Sequence, residues 1–313
     1  MMVGTSLATS PDSRNTNTSR ADMKLLVTGT SGQLAQSLLE AGLAAGVAVV
    51  ALRRPHLDLT IPGTIRASLT DVRPDIVVNA AAYTAVDKAE SEEQLAHKVN
   101  AAGAGELAAL CDKLGVPLVH ISTDYVFDGA KRSAYVETDP TGPRNAYGRS
   151  KLAGEQAVIA ATSRHVILRT SWVYSPFGTN FVRTMLRLAA DRPELRVVDD
   201  QIGCPTYAPH LAVAILAVAA RLQSDTAAAP WGVYHAAGTG ETSWCGFARE
   251  IFADCARRGK PAPRLTAIAT SDYPTPAQRP ASSRLDCGKL AGTFGVRLPD
   301  WRDGTRNCLA RLA

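Results

Sequence analysis

Lys24-Leu25-Leu26-Val27-Thr28-Gly29-Thr30-Ser31-Gly32-Gln33-Leu34-Ala35 decides the fold. Its first five residues are mostly apolar and do not alternate with polar ones, which suits a strand buried on both faces of a parallel sheet. Two glycines follow, and a helix is expected over Gln33–Ala45. A strand, a Gly-rich turn and a helix N-terminus together bring backbone N–H groups and the helix dipole towards a pyrophosphate. Gly29 and Gly32 are therefore expected at a dinucleotide. Ala35 stands where such turns place a third glycine, and its methyl is small enough for close helix–strand packing.

The pattern repeats further along the chain. Strands are expected at 47–52, 76–79, 116–122 and 165–170, with helices at 64–72, 91–114 and 147–161. Strict alternation of strand and helix implies an α/β fold, a Rossmann-type doubly wound parallel sheet with right-handed crossovers. Beyond about 172 the alternation loosens. Helices are expected at 179–190, 209–222, 244–258 and 301–312, and strands near 195–199, 232–235 and 264–268. Residues 1–22, rich in Ser, Thr and Asn, read as a disordered extension. Residues 23–172, with parts of 195–240, read as the dinucleotide-binding domain. Residues 173–194 and 241–313 read largely as a smaller C-terminal α/β substrate lobe.

Composition narrows the function. The chain has 313 residues, 46% hydrophobic and 20% charged, enough to bury a core without disulfide staples. Its net charge of +5 has no Lys/Arg run behind it, which argues against nucleic acid as a partner. No apolar run approaches the length of a membrane span and no signal peptide is visible, so a cytoplasmic protein is expected. The cysteines at 111, 204, 245, 255, 287 and 308 form no C-x-x-C pair and read as free thiols. No carboxylate cage stands out and no metal is expected. The histidines at 56, 97, 120, 165, 210 and 235 are scattered and read as surface or satisfied core residues.

The end of the second strand bears on the cofactor. An acid there would bind the ribose hydroxyls of NAD, but this chain has Arg53-Arg54. Guanidinium groups pair a 2′-phosphate bidentately, which favours NADPH and leaves NADH possible; two arginines in a solvated loop is the plain alternative. Asp58 is a possible ribose or adenine contact. Asn79-Ala80-Ala81-Ala82 ends the third strand with side chains small enough for a cofactor to lie against the backbone.

Tyr147 and Lys151 are four residues apart at a helix start, so their side chains share one face. A phenol with an ordinary pKa near 10 exchanges protons poorly at neutral pH, and a nearby ammonium is expected to lower that value. Tyr147 can then act as a general acid towards a carbonyl oxygen. Thr123, at the carboxyl end of the fourth strand, can meet the same oxygen.

These residues resemble the extended short-chain dehydrogenases/reductases, and within them the reductases of dTDP-linked 4-keto sugars. The resemblance spans about 24–312. It rests on 28–34, 79–90 (NAAAYTAVDKAE), Val99-Asn100, 122–129 (STDYVFDG), 147–154 (YGRSKLAG), 169–174 (RTSWVY) and 200–206 (DQIGCPT). It implies Tyr147 as proton donor, Lys151 as the group that tunes it and holds the nicotinamide ribose, and Thr123 as partner of the reacting oxygen. It implies cofactor contacts at Gly32, Gln33, Leu34, Arg53, Asp58, Leu59, Ala82, Tyr83 and Thr84. Substrate contacts are implied at Thr123, Asp124, Tyr125 and Trp172; plain core packing is the other reading of Trp172. The implied partner is a dTDP-sugar, taken by a monomer or homodimer.

Two positions depart from the family pattern, Ala35 for glycine and Ser282 for a more frequent asparagine. The nearest rival is an epimerase or dehydratase of the same superfamily. Dehydratases tend to carry an Asp-Glu pair after the threonine, whereas this chain has Asp124-Tyr125. A non-catalytic subunit resembling the beta subunit of methionine adenosyltransferase is the rival of another class. Intact Thr123, Tyr147 and Lys151 favour an enzyme.

Overall fold

A computed structural model describes residues 23–224 and 228–312; the extension expected at 1–22 lies outside the described residues. The first half runs β1 (Lys24–Thr28), α1 (Gln33–Ala45), β2 (Ala48–Leu52), α2 (Pro62–Val72), β3 (Ile76–Asn79), α3 (Val86–Ala89), α4 (Glu93–His97), α5 (Gly103–Leu114), β4 (Leu118–Thr123), α6 (Ala146–Ala161) and β5 (His165–Thr170). There follow β6 (Val173–Tyr174), α7 (Phe181–Asp191), β7 (Glu194–Val198), β8 (Ile202–Gly203), β9 (Thr206–Tyr207), α8 (Ala208–Ser224) and β10 (Gly232–His235). The chain ends with β11 (Thr242–Ser243), α9 (Trp244–Arg257), β12 (Arg264–Ile268), β13 (Ser282–Ser283), α10 (Gly288–Phe294) and α11 (Trp301–Arg311).

Six strands form one sheet in the order β10-β5-β4-β3-β1-β2, with every neighbouring pair parallel. The chain steps outwards from β1 to β2, then returns to place β3 on the other side of β1. That reversal opens a crevice at the carboxyl ends of β1 and β3, where open α/β sheets bind ligands. Successive residues face opposite layers. Leu25 and Val27 pack with α1 and α8, whereas Leu26 packs with α2 and α5. Burial on both faces is why these strands read as apolar runs without period.

A second apolar cluster gathers Tyr174, Val182, Leu195, Tyr207, Phe247 and Trp301 with their neighbours. β7 and β12 pair in parallel beside it, and β8 is flanked by β11 and β13.

The helix expected over 91–114 is interrupted. Between α4 and α5 the chain makes a π-helical turn at Lys98–Ala102. There the Asn100 side chain donates to the Tyr83 carbonyl at 3.0 Å and accepts from its N–H at 2.8 Å. A polar side chain committed to a loop in this way accompanies the widened turn. The fourth strand starts at Leu118 and not at Val116, because Val116 N–H still bonds the helical carbonyl of Cys111.

Candidate active site

α1 begins at Gly32 with no side-chain cap and no acid in its first turn. Its first N–H groups therefore have no anionic partner from their own helix, as an anion site requires. Gly29 has φ of +90°, a conformation that L side chains rarely adopt, and a Cβ on Gly32 would meet nothing within 4 Å. Small Ala80, Ala81 and Ala82 close the other side of the crevice at the end of β3. An uncapped helix start over an open glycine turn fits a dinucleotide pyrophosphate.

The cofactor candidates separate into two sets. Gly29, Gly32, Ala82, Tyr83 and Thr84 keep accessible surface at the turn and after β3. Arg53 and Arg54 are exposed beyond β2. Leu34 and Leu59 instead bury their side chains in the two core layers, leaving only backbone to meet a ligand. The Asp58 carboxylate accepts from Thr60 N–H and Oγ1, each at 2.8 Å, and these bonds hold it below the ordinary carboxylate range against a raising effect of burial. The Gln33 side chain turns away from the glycine turn towards residues 173–180.

Tyr147, Lys151 and Thr123 come together where α6 lies over the end of β4. Asn145 caps the helix, its Oδ1 accepting from Gly148 N–H at 2.8 Å, which fixes where Tyr147 starts. The Thr123 hydroxyl neighbours the Tyr147 phenol. Thr123 Oγ1 also donates to Asp124 Oδ1 at 2.8 Å and accepts from Tyr125 N–H at 3.2 Å. The Tyr125 ring meets Tyr147 edge-on, with centroids 5.7 Å apart.

Lys151 is 2% exposed. Its Nζ donates to the Ile121 carbonyl at 2.6 Å and lies 3.4 Å from His120 Nε2. His120 Nδ1 is 3.0 Å from Asn79 Nδ2, and Asn79 Oδ1 accepts from the Thr28 hydroxyl at 2.7 Å. A buried polar chain thus runs from β1 through β3 and β4 to the lysine. Burial pushes the Lys151 amine down to about 8, partly opposed by Glu155.

The phenol differs from expectation. Burial first, and the Asp124 charge second, push Tyr147 above its ordinary value, while the Thr123 bond pulls the other way. The expected lowering by Lys151 is not seen, because the amine points to the β4 backbone and His120. Burial likewise raises the Asp124 carboxyl to about 6, against hydrogen bonds from Ser283 and Thr123.

Trp172 is half-buried and sits at φ of +46°, in the left-handed region. Its indole stacks on Trp244 at 3.5 Å between centroids and lies against Gly203, where a Cβ would come within 2.5 Å. A non-glycine residue keeps that conformation only where its surroundings fix it. His120, Trp244 and Ser283 were not legible as site residues in the sequence. Each acts through a partner far along the chain, so no local spacing exposes it. Among the described residues, no helix is long and apolar enough to cross a membrane.

Comparison with known proteins bears on this arrangement. Residues 23–313 match the family model described as RmlD substrate binding domain. A dTDP-4-dehydrorhamnose reductase of Sinorhizobium fredii is 50% identical over 290 residues, covering 93% of this chain and 98% of that protein. The Burkholderia thailandensis protein of the same name is 47% identical over 296 residues, 93% of this chain and 99% of its own. A crystal structure of dTDP-4-dehydrorhamnose reductase from Bacillus anthracis, in complex with NADP, superposes with TM-score 0.85 at 35% identity, covering 92% of this chain and 99% of the other. With likeness extending over the whole sheet and the lobe beyond it, the chain belongs to the dTDP-4-dehydrorhamnose reductase family.

Proposed function

We propose that this protein reduces the C4 ketone of dTDP-4-dehydro-L-rhamnose to give dTDP-L-rhamnose, with NADPH as cofactor. The observation that carries the reading is the gathering of Thr123, Tyr147 and Lys151 where α6 lies over the carboxyl end of β4, beside the crevice. A bound nicotinamide supplies the hydride that C4 receives. Tyr147 holds the proton that the carbonyl oxygen takes as C4 is reduced, so charge does not accumulate on that oxygen. Thr123, whose single hydroxyl proton goes to Asp124 in this structure, turns that proton to the same oxygen as a second hydrogen bond and sets its position. Lys151 would hold the ribose hydroxyls of a bound cofactor, and its ammonium, directed at the Ile121 carbonyl and His120 in this structure, would favour the phenolate on turning towards Tyr147.

Gly29, Gly32, Gln33 and Leu34 offer backbone to the pyrophosphate, Asp58 and Leu59 flank the adenosine, and Ala82, Tyr83 and Thr84 line the nicotinamide half. Arg53 pairs the 2′-phosphate. Thr123, Asp124, Tyr125 and Trp172 face the sugar nucleotide, and residues 173–194 and 241–313 form most of the lobe that encloses it. Purified protein mixed with NADPH and the keto sugar nucleotide should lose absorbance at the reduced-nicotinamide band. Folded protein with no loss, under either NADPH or NADH, would sink the proposal. Comparing initial rates with the two cofactors in wild type and Arg53→Asp tests the assignment of Arg53. The variant should lose its NADPH preference, and an unchanged ratio removes Arg53 from the site.

A further inference from the structure

Gln33 is the first residue of α1, and its backbone closes the glycine turn. Its side chain makes three bonds to a segment about 140 residues away. Nε2 donates to the Val173 carbonyl at 3.2 Å, and Oε1 accepts from Ser175 Oγ at 2.9 Å and Asn180 Nδ2 at 3.0 Å. Ser175 is fully buried, while Gln33 and Asn180 are half-buried. Asn180 is itself fixed, capping α7 through Oδ1 and donating through Nδ2 to the Ser175 carbonyl at 2.8 Å.

Val173 immediately follows Trp172, whose left-handed backbone needs support from its surroundings. The Gln33 bond to the Val173 carbonyl is one such support. The Thr206 N–H bond to the Trp172 carbonyl at 3.2 Å is another. A ligand that fixes the backbone of Gln33 therefore also restricts the backbone beside Trp172. Order established by one ligand need not be established again by a second, which produces positive coupling between two sites.

Building on the functional reading above, we infer that Gln33 is a positioning residue that links dinucleotide binding to sugar-nucleotide binding, through residues 173–180 and Trp172. Cofactor and sugar nucleotide then tighten each other reciprocally. The sequence suggested only a cofactor contact for Gln33; its side chain faces the other ligand's side.

The test measures dTDP affinity by calorimetry with and without saturating NADPH, a pair that cannot react. In wild type, NADPH should tighten dTDP roughly tenfold. Ser175→Ala removes one donor to Gln33 with little change of volume. Asn180→Ser keeps a capping oxygen for α7 and removes the amide donor to Gln33 without adding charge. In both, the coupling should fall below about twofold while each ligand alone binds about as in wild type. Undiminished coupling in either folded variant, or no coupling in wild type, overturns the inference. If wild type binds neither dTDP nor NADPH, the functional reading fails first and the inference falls with it.

Discussion

A lysine amine taken out of water and left with a carbonyl and an imidazole for company carries a cost that depends on pH. With Lys151 held near 8 in the folded chain and 10.5 as its ordinary value, the difference is about 3 kcal/mol at 1.36 kcal/mol per unit. Below pH 8 the amine is charged in both states and the whole cost is present. Between about 8 and 10.5 the unfolded chain binds more protons than the folded one, so stability rises with pH across that window. Lys151→Met should therefore melt higher than wild type at pH 7, with the gap closing above pH 8 in thermal melts. The same variant should lose turnover, and wild-type turnover should fall as pH rises through about 8. A pH-independent gap would show that the amine does not titrate as described. Tyr147→Phe should lower kcat by about 10²–10⁴-fold with the fold intact, since only the proton is lost. Tyr147, Lys151 and Thr123 were legible in the sequence because helical spacing and a strand end fix their relative places. His120 was not, since its partners Asn79 and Lys151 lie 41 and 31 residues away and only the sheet brings them together.

At the scale of elements, α6 is the part on which the site depends. Tyr147, Lys151 and Glu155 recur every four residues along one face, and Glu155 anchors that face to the sheet. Its carboxylate takes two prongs of Arg169 from β5, at 2.9 and 2.7 Å, and accepts from Ser122 of β4 at 2.5 Å. Both charged side chains are nearly inaccessible, at 2% and 6% exposure, so removing one leaves the other buried and unpaired. Glu155→Gln should lower stability by about 3–5 kcal/mol in denaturant titration. Glu155→Met with Arg169→Met should recover most of that loss, and no recovery would mean that the charges themselves hold the helix. Gly154 sets how closely α6 approaches the π-helical turn, because a Cβ there would fall 2.0 Å from the Asn100 carbonyl. Gly154→Ala should cost about 1–3 kcal/mol through forced separation. Most longer helices and strands were legible to within a few residues, the helices from one apolar face and the sheet strands from short apolar runs, whereas the short α3 and α10 were not. The two-residue strands β6, β8, β9, β11 and β13 were not, since two residues define no period, and their pairing is dictated by the surrounding packing. The π-helical turn was hidden for a similar reason, as the partner of its Asn100 side chain is the Tyr83 backbone, 17 residues away.

Across the whole molecule, the two sheet layers and the second apolar cluster are separate cores, and the question is whether they unfold together. α1 and α8 pack along their length on one layer, while the end of α8 leads directly from β9 in the second cluster. Arg311 of α11 reaches back to Glu40 of α1 in a forked pair at 2.8 and 2.9 Å. Both partners are well exposed, so this pair contributes at most about 1 kcal/mol and weakens with salt. The three half-buried Gln33 bonds and the continuous backbone are the firmer ties. Three of the four tryptophans, Trp172, Trp244 and Trp301, lie in the second cluster, so in a Trp231→Phe background intrinsic fluorescence reports on that region, whereas far-ultraviolet dichroism is dominated by the helices and sheet. If the cores form one cooperative unit, both probes give the same thermal midpoint. NADPH at about a hundred times its Kd should stabilise the folded state by about 2.7 kcal/mol. Both midpoints should then rise together by roughly 5 °C. A fluorescence midpoint that stays in place while the dichroism midpoint climbs would mean that the cofactor holds only the sheet. The lobe carrying Trp172 would then unfold independently, and the ties through α1 would be too weak to carry cooperativity.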